Sequence, residues 1–112
     1  MSYITTHVLD TSRGQPAAAV GVLLEHRTGE MWTVIGRGET DQDGRLRTLW
    51  PGLPPQPGVY RLTFGTGRYF EAQGARTFYP FVTIVFETAP GQEHYHVPLL
   101  LNPYGYSTYR GS

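Results

Sequence analysis

The chain contains no cysteine and no lysine. Without cysteine there are no disulfide staples, no thiolate nucleophile and no cysteine-ligated zinc. All nine basic side chains other than histidine are arginine, and they balance nine Asp and Glu to a formal net charge of zero. With only 16% of residues charged, neither a nucleic acid nor an anionic membrane is an expected partner through bulk electrostatics. No apolar run approaches the roughly 20 residues that a membrane-crossing helix needs. Met1 to His7 shows neither a charged n-region nor an apolar h-region, so no signal peptide is expected and the expected location is the cytoplasm. The common site signatures are also missing. There is no Gly-x-x-x-x-Gly-Lys phosphate loop, no dinucleotide fingerprint after a strand, and no Gly-x-Ser-x-Gly elbow. No pair of carboxylates stands out for glycoside chemistry.

What is present points to one β domain over residues 1–112. Glycine (14), proline (9), tyrosine (8) and phenylalanine (5) are plentiful, a mixture of strand formers and turn formers rather than of helix formers. Alternation of apolar and polar residues predicts strands over Ile4–Asp10, Val20–His26, Met31–Arg37, Arg45–Trp50, Val59–Phe64, Phe81–Thr88, His94–Leu101 and Tyr106–Arg110. Turn residues separate them: Thr11 to Pro16, Thr28-Gly29-Glu30, the Asp43-Gly44 pair, and the proline-rich stretch Pro51 to Gly58. Thr66 to Gly74 breaks the β rhythm. With Thr66 as N-cap and Gly74 as stop, it predicts a helix of about two turns. Eight strands at this spacing make an all-β sandwich the expected fold.

The chemistry left to such a chain is that of histidine, arginine and hydroxyl groups. His7 lies mid-strand, on the face of Thr5 and Leu9. His94 and His96, two apart, share one strand face, and so do Arg45 and Arg47 directly after the Asp43-Gly44 turn. His26, at a strand end, is expected at the surface. Each has a plain structural reading beside the chemical one. His7 can be a hydrogen-bonded strand histidine, His94 and His96 a polar face opposite Val97, Leu99 and Leu101, and the two arginines a solvated face. His7, His94 and His96 also fit a zinc site with an open position for water, although no acidic partner supports it.

Four segments together resemble the transthyretin-like 5-hydroxyisourate hydrolases. They are Thr6-His7-Val8-Leu9-Asp10 with Gly14-Gln15-Pro16-Ala17, then Asp43-Gly44-Arg45, then His94-Tyr95-His96-Val97-Pro98-Leu99-Leu100-Leu101, and last Tyr106-Ser107-Thr108-Tyr109-Arg110-Gly111-Ser112. The terminal Tyr109-Arg110-Gly111-Ser112 resembles the tetrapeptide that separates these hydrolases from the hormone carrier transthyretin. The resemblance implies a transthyretin-like β-sandwich of two four-stranded sheets with one short helix after the fifth strand. It implies a homotetramer with sites in channels between dimers. It also implies hydrolysis of the ring of 5-hydroxyisourate, a product of urate oxidation, without a cofactor. Residue by residue, His7, His96, Arg45 and Ser112 resemble the catalytic set. His7, Arg45, Tyr109 and Arg110 resemble the groups that bind substrate, and His94 is left as an orienting neighbour. Two other readings stand beside this one: a small-ligand carrier of the transthyretin type, and the zinc hydrolase.

Overall fold

The computed structural model describes residues 2–112. Its elements, in chain order, are β1 (Ile4–Asp10), β2 (Gln15–Pro16), β3 (Gly21–Thr28), β4 (Met31–Glu39), β5 (Arg45–Leu46), β6 (Gly58–Phe64), α1 (Thr66–Glu71), β7 (Val82–Thr88), β8 (Tyr95–Asn102) and β9 (Gly105–Thr108). They form the expected two-layer sandwich. One sheet runs β2-β1-β8-β9, with β5 also paired to β1; the other runs β4-β3-β6-β7. All pairings are antiparallel except β1 with β8, which run parallel.

The inner faces supply the core. Ile4, Val8, Leu24, Leu62, Phe64, Leu99 and Leu101 are 2% exposed or less. Each such side chain contributes about 1.5–3 kcal/mol on removal from water. Tyr3 joins Trp50, Tyr60 and Tyr95 in an edge-to-face cluster at one end of the sandwich. Two polar residues of β1 point inward, and both are satisfied. The Thr6 hydroxyl donates to the Val97 carbonyl, and the buried Asp10 carboxylate accepts from the hydroxyls of Ser12 and Tyr69. The second of these bonds ties α1 to the end of β1.

The structure departs from the pattern-based expectations at four places. Gln15–Pro16, inside an expected turn, pairs with Leu9 and Asp10 as a two-residue strand, so this sheet has five strands rather than four. The strand expected over Arg45–Trp50 stops at Leu46. Beyond it the chain crosses β4, where a Cβ on Gly36 would overlap the Leu49 carbonyl oxygen. The crossing depends on that missing side chain, and a ladder cannot continue through it. The helix ends at Glu71, and its cap is Gly65, with no side-chain bond to the first turn. Thr66 is buried instead and its hydroxyl has no partner, so it is not the N-cap. Gly74 does mark the stop, its amide bonding the Glu71 carbonyl. Finally, the last strand spans Gly105–Thr108, so Tyr109 and Arg110 lie beyond the ladder, and His94 precedes β8.

Candidate active site

The outer face of the β1 sheet carries the groups that can do chemistry. In the parallel register Thr5 lies beside His96 and His7 beside Pro98, while across the other edge of β1 His7 lies beside Arg45. Strand neighbours share a face. The register therefore gathers residues from the beginning, the middle and the end of the chain.

A crevice of about 450 Å³ opens on this face. Its lining includes Thr5, Arg45, Arg47, His94, His96 and Ser112. The Asp43-Gly44 turn positions Arg45. Asp41 Oδ1 accepts from the amides of Asp43 and Arg45, both at 2.9 Å, and the Arg45 amide is the largest influence holding the Asp41 carboxyl below its usual range. From below, the Val8 amide donates to the Gly44 carbonyl at 2.7 Å. The arginine thus rises from a turn locked at both ends.

His96 is the central imidazole. Its Nδ1 lies 2.8 Å from the Thr5 hydroxyl. His94 Nε2 approaches the same hydroxyl at 3.4 Å, and His94 Nδ1 lies 2.8 Å from the Ser2 carbonyl oxygen. The two rings are nearly parallel, with centroids 6.4 Å apart. Burial pulls the His96 pKa below the usual histidine value, and Arg45, His7, His94 and Arg47 push it down further. A neutral ring is the form that can take up a proton.

The chain's last residues close one side. The Gly111 amide donates to the His96 carbonyl at 2.8 Å. A Cβ on Gly111 would lie 2.7 Å from His96 Cδ2 and 3.2 Å from Pro98 Cγ. Only a glycine lets the backbone come down on the imidazole this closely, and the next residue, Ser112, then enters the crevice.

Of the residues expected from the sequence, Arg45, His96 and Ser112 line one cavity, with His94 beside them. His7 is on the same sheet face but outside the lining, and its Nε2 donates to the Asp43 carbonyl at 2.9 Å. Tyr109 and Arg110 fall in a separate groove of about 270 Å³ between β7 and the terminal segment, on the other flank of His96. There the Arg110 guanidinium lies 4.8 Å from the centre of the Tyr95 ring and reaches Gln92. Arg47, expected on a solvated face, is a second cation of the crevice, and Thr5, inconspicuous in the sequence, lines it as well. The i, i+2 spacing from Arg45 was the available signal for Arg47; for Thr5 there was none without the β1–β8 register. Among the described residues, no three His, Cys, Asp or Glu side chains are grouped to hold a metal ion, which leaves the three-histidine zinc reading without its geometry. No helix of the structure is long and apolar enough to cross a membrane.

The architecture and the crevice define a transthyretin-fold sandwich whose sheet face carries imidazole and guanidinium groups. The chain belongs to the HIUase/Transthyretin family, which matches it over residues 4–111. It is 50% identical over 109 residues to a 5-hydroxyisourate hydrolase of Salmonella dublin, covering 97% of this chain and 80% of that protein. It is 47% identical over 116 residues to a 5-hydroxyisourate hydrolase of Caulobacter vibrioides, covering all of both chains. Among solved structures it resembles transthyretin from Sparus aurata, with a TM-score of 0.92, 32% identity, and coverage of 99% of this chain and 97% of that one. It also resembles Klebsiella pneumoniae 5-hydroxyisourate hydrolase, with a TM-score of 0.87, 37% identity and full coverage of both chains. Carrier and hydrolase share the backbone, so the backbone alone does not choose between them.

Proposed function

We propose that this protein hydrolyses 5-hydroxyisourate, opening its six-membered ring by attack of water on a ring carbonyl, as a step of urate degradation. The observation that carries this reading is the terminal segment. Gly111 rests on His96 and brings Ser112 into a crevice that already holds Arg45. The identity to named hydrolases supports the same reading.

Water is a weak nucleophile at neutral pH. The neutral His96 ring can take its proton as the oxygen bonds to the carbonyl carbon, and general-base help of this kind is worth roughly 10²–10⁴-fold. The carbonyl oxygen then carries the negative charge, which a guanidinium placed in advance stabilises. Arg45 suits this role, because its planar fork donates two parallel bonds to a flat, carbonyl-rich molecule. When the ring C–N bond breaks, the proton held by imidazolium passes to the leaving nitrogen. Ser112 adds a hydroxyl at the crevice wall. None of these steps calls for a cofactor.

The reading also includes a homotetramer. The crevice is open on one sheet face of a single chain, and His7, Tyr109 and Arg110 stand beside it rather than in it. A second copy docked against this face would enclose the crevice and turn its margin into lining, in keeping with the preference of pockets for interfaces. Cytoplasmic location belongs to the same reading and agrees with a chain that needs no oxidising compartment.

The test is spectrophotometric. Freshly generated 5-hydroxyisourate loses its ultraviolet absorbance slowly by itself, and added protein should speed that loss in proportion to its concentration. An unchanged decay, together with saturable binding of a small aromatic ligand, would overturn the reading in favour of a carrier.

A further inference from the structure

We infer that His94 and Thr5 act as a positioning pair that fixes the tautomer of His96, leaving His96 Nε2 as the bare, proton-accepting nitrogen. The inference deepens the hydrolytic reading and rests on it for its kinetic consequence, but the geometry behind it is independent of any substrate.

The argument follows the protons along one line of atoms. The Ser2 carbonyl oxygen can only accept, so His94 Nδ1, 2.8 Å away, must carry the hydrogen. A neutral His94 then has a lone pair at Nε2. That nitrogen lies 3.4 Å from the Thr5 hydroxyl. The hydroxyl has one proton to give, and it stands between His94 Nε2 and His96 Nδ1, the latter at 2.8 Å. If Thr5 donates to His94, its oxygen is left to accept, and His96 Nδ1 must donate. Every group is then paired. If Thr5 instead donates to His96 Nδ1, the lone pair of the half-buried His94 has no donor within the protein, and one hydrogen bond is lost. The first arrangement makes three bonds within the protein and the second makes two, and the arrangement with the additional hydrogen bond is favoured. The direction of donation therefore runs from His96 through Thr5 and His94 to the Ser2 carbonyl.

The consequence lies at the far nitrogen of His96. With the hydrogen held at Nδ1, a neutral imidazole presents a lone pair at Nε2, and this ring lines the crevice beside Arg45. The reverse tautomer would present an N–H there and could not accept a proton. Neither Thr5 nor His94 needs to touch the substrate. Each acts through His96, by keeping the ring in its basic form and in a fixed orientation. Once His96 has taken a proton, its Nδ1–H still donates to Thr5, so the network stays intact through the step.

Two measurements test this. Nitrogen-15 NMR of the histidine side chains in the substrate-free protein, at a pH where His96 is neutral, should show the protonated-nitrogen shift at His96 Nδ1 and the bare-nitrogen shift at Nε2. In Thr5→Val this preference should relax toward the mixture of free histidine, and in Thr5→Ser it should persist. Kinetically, Thr5→Val and His94→Phe should each lower kcat about tenfold or more with KM changed less than threefold, while Thr5→Ser stays within about threefold of the parent. The inference is overturned if His96 carries its hydrogen on Nε2 in the parent protein, or if the Thr5→Val ring keeps the parent tautomer. It is equally overturned if His94→Phe retains the parent kcat. Because the NMR result needs no turnover, a parent protein that fails to hydrolyse 5-hydroxyisourate would sink the proposed function and leave the tautomer question decided separately.

Discussion

Arg61 on the β4-β3-β6-β7 sheet and Arg45 on the other sheet are both strand arginines on outer faces, and they are treated very differently. Arg61 is paired with Glu25 at 2.8 Å and lies 4.2 Å from the centre of the Trp32 ring. Its charge is answered within the chain. Arg45 and Arg47 have no carboxylate in ion-pair contact among the described residues, where Arg61–Glu25 is the one salt bridge. They face a cavity whose other ionisable side chains are imidazoles. On the first sheet Arg61 holds two neighbouring strands together through Glu25. On the second sheet Arg45 and Arg47 stay available beside the crevice, which costs some repulsion and adds to the lowering that burial imposes on the His96 pKa. An arginine pair without a carboxylate partner, above a cavity, fits the proposed role of holding an oxygen-rich guest.

The sharpest way to break this contrast is to remove the imidazole that the cations surround. His96→Ala should lower kcat/KM by at least about 100-fold, the lower end of general-base help, with the far-ultraviolet circular dichroism unchanged. Next, Arg45→Met and Arg61→Met should give opposite results in the same two assays. The first should cut kcat/KM about tenfold or more, roughly 1.4 kcal/mol, with little change in urea midpoint. The second should leave turnover near normal and lower stability by about 1–3 kcal/mol, because the buried Glu25 loses its partner. Equal loss of activity in both variants would erase the distinction between the sheets. Gly111→Ala should then slow turnover several-fold without shifting the melting temperature, since the added carbon strikes His96 rather than the core.

The smallest effect concerns pH. His96 must be neutral to accept a proton, so kcat/KM should fall on the acid side, below the ordinary histidine value of about 6.5. Burial is the largest cause of that displacement, with Arg45, His7, His94 and Arg47 adding to it. Arg47→Met removes one repulsive charge and should move the acid limb to higher pH, a small step because that charge is screened by solvent. A shift to lower pH would contradict the sign of the argument.

Local pattern in the sequence was enough for the longer strands and for the imidazole and arginine residues that line the crevice. Alternation put His94 and His96 on one face and Val97, Leu99 and Leu101 on the other, and the last three are buried. What local pattern does not contain is register between distant strands. Thr5 has no feature of its own, and it becomes the centre of a network only because β1 runs parallel to β8 with Thr5 beside His96. The short β5 was hidden for a similar reason. Arg45 to Trp50 alternates well, but the Gly36 backbone of β4 admits a crossing there, and tertiary contact overrides the local preference. The misassigned cap has a third cause. Thr66 has a good capping side chain, yet packing places it inside the protein, where its hydroxyl cannot turn back to the helix. The separation of Tyr109 and Arg110 from Ser112 follows from the chain leaving the β9 ladder after Thr108 and touching down again only at Gly111.

The parallel seam between β1 and β8 also carries a kinetic consequence. The Thr5–His96 contact joins residues 91 positions apart, and such distant closures are slow to form. On the ribosome the early strand must wait, with one edge unpaired, until nearly the whole polypeptide has emerged. Incomplete translation products therefore contain Arg45 and His7 but lack the His96 wall of the crevice, and the onset of the proposed turnover in a cell-free synthesis reaction would time the zipping of that last seam.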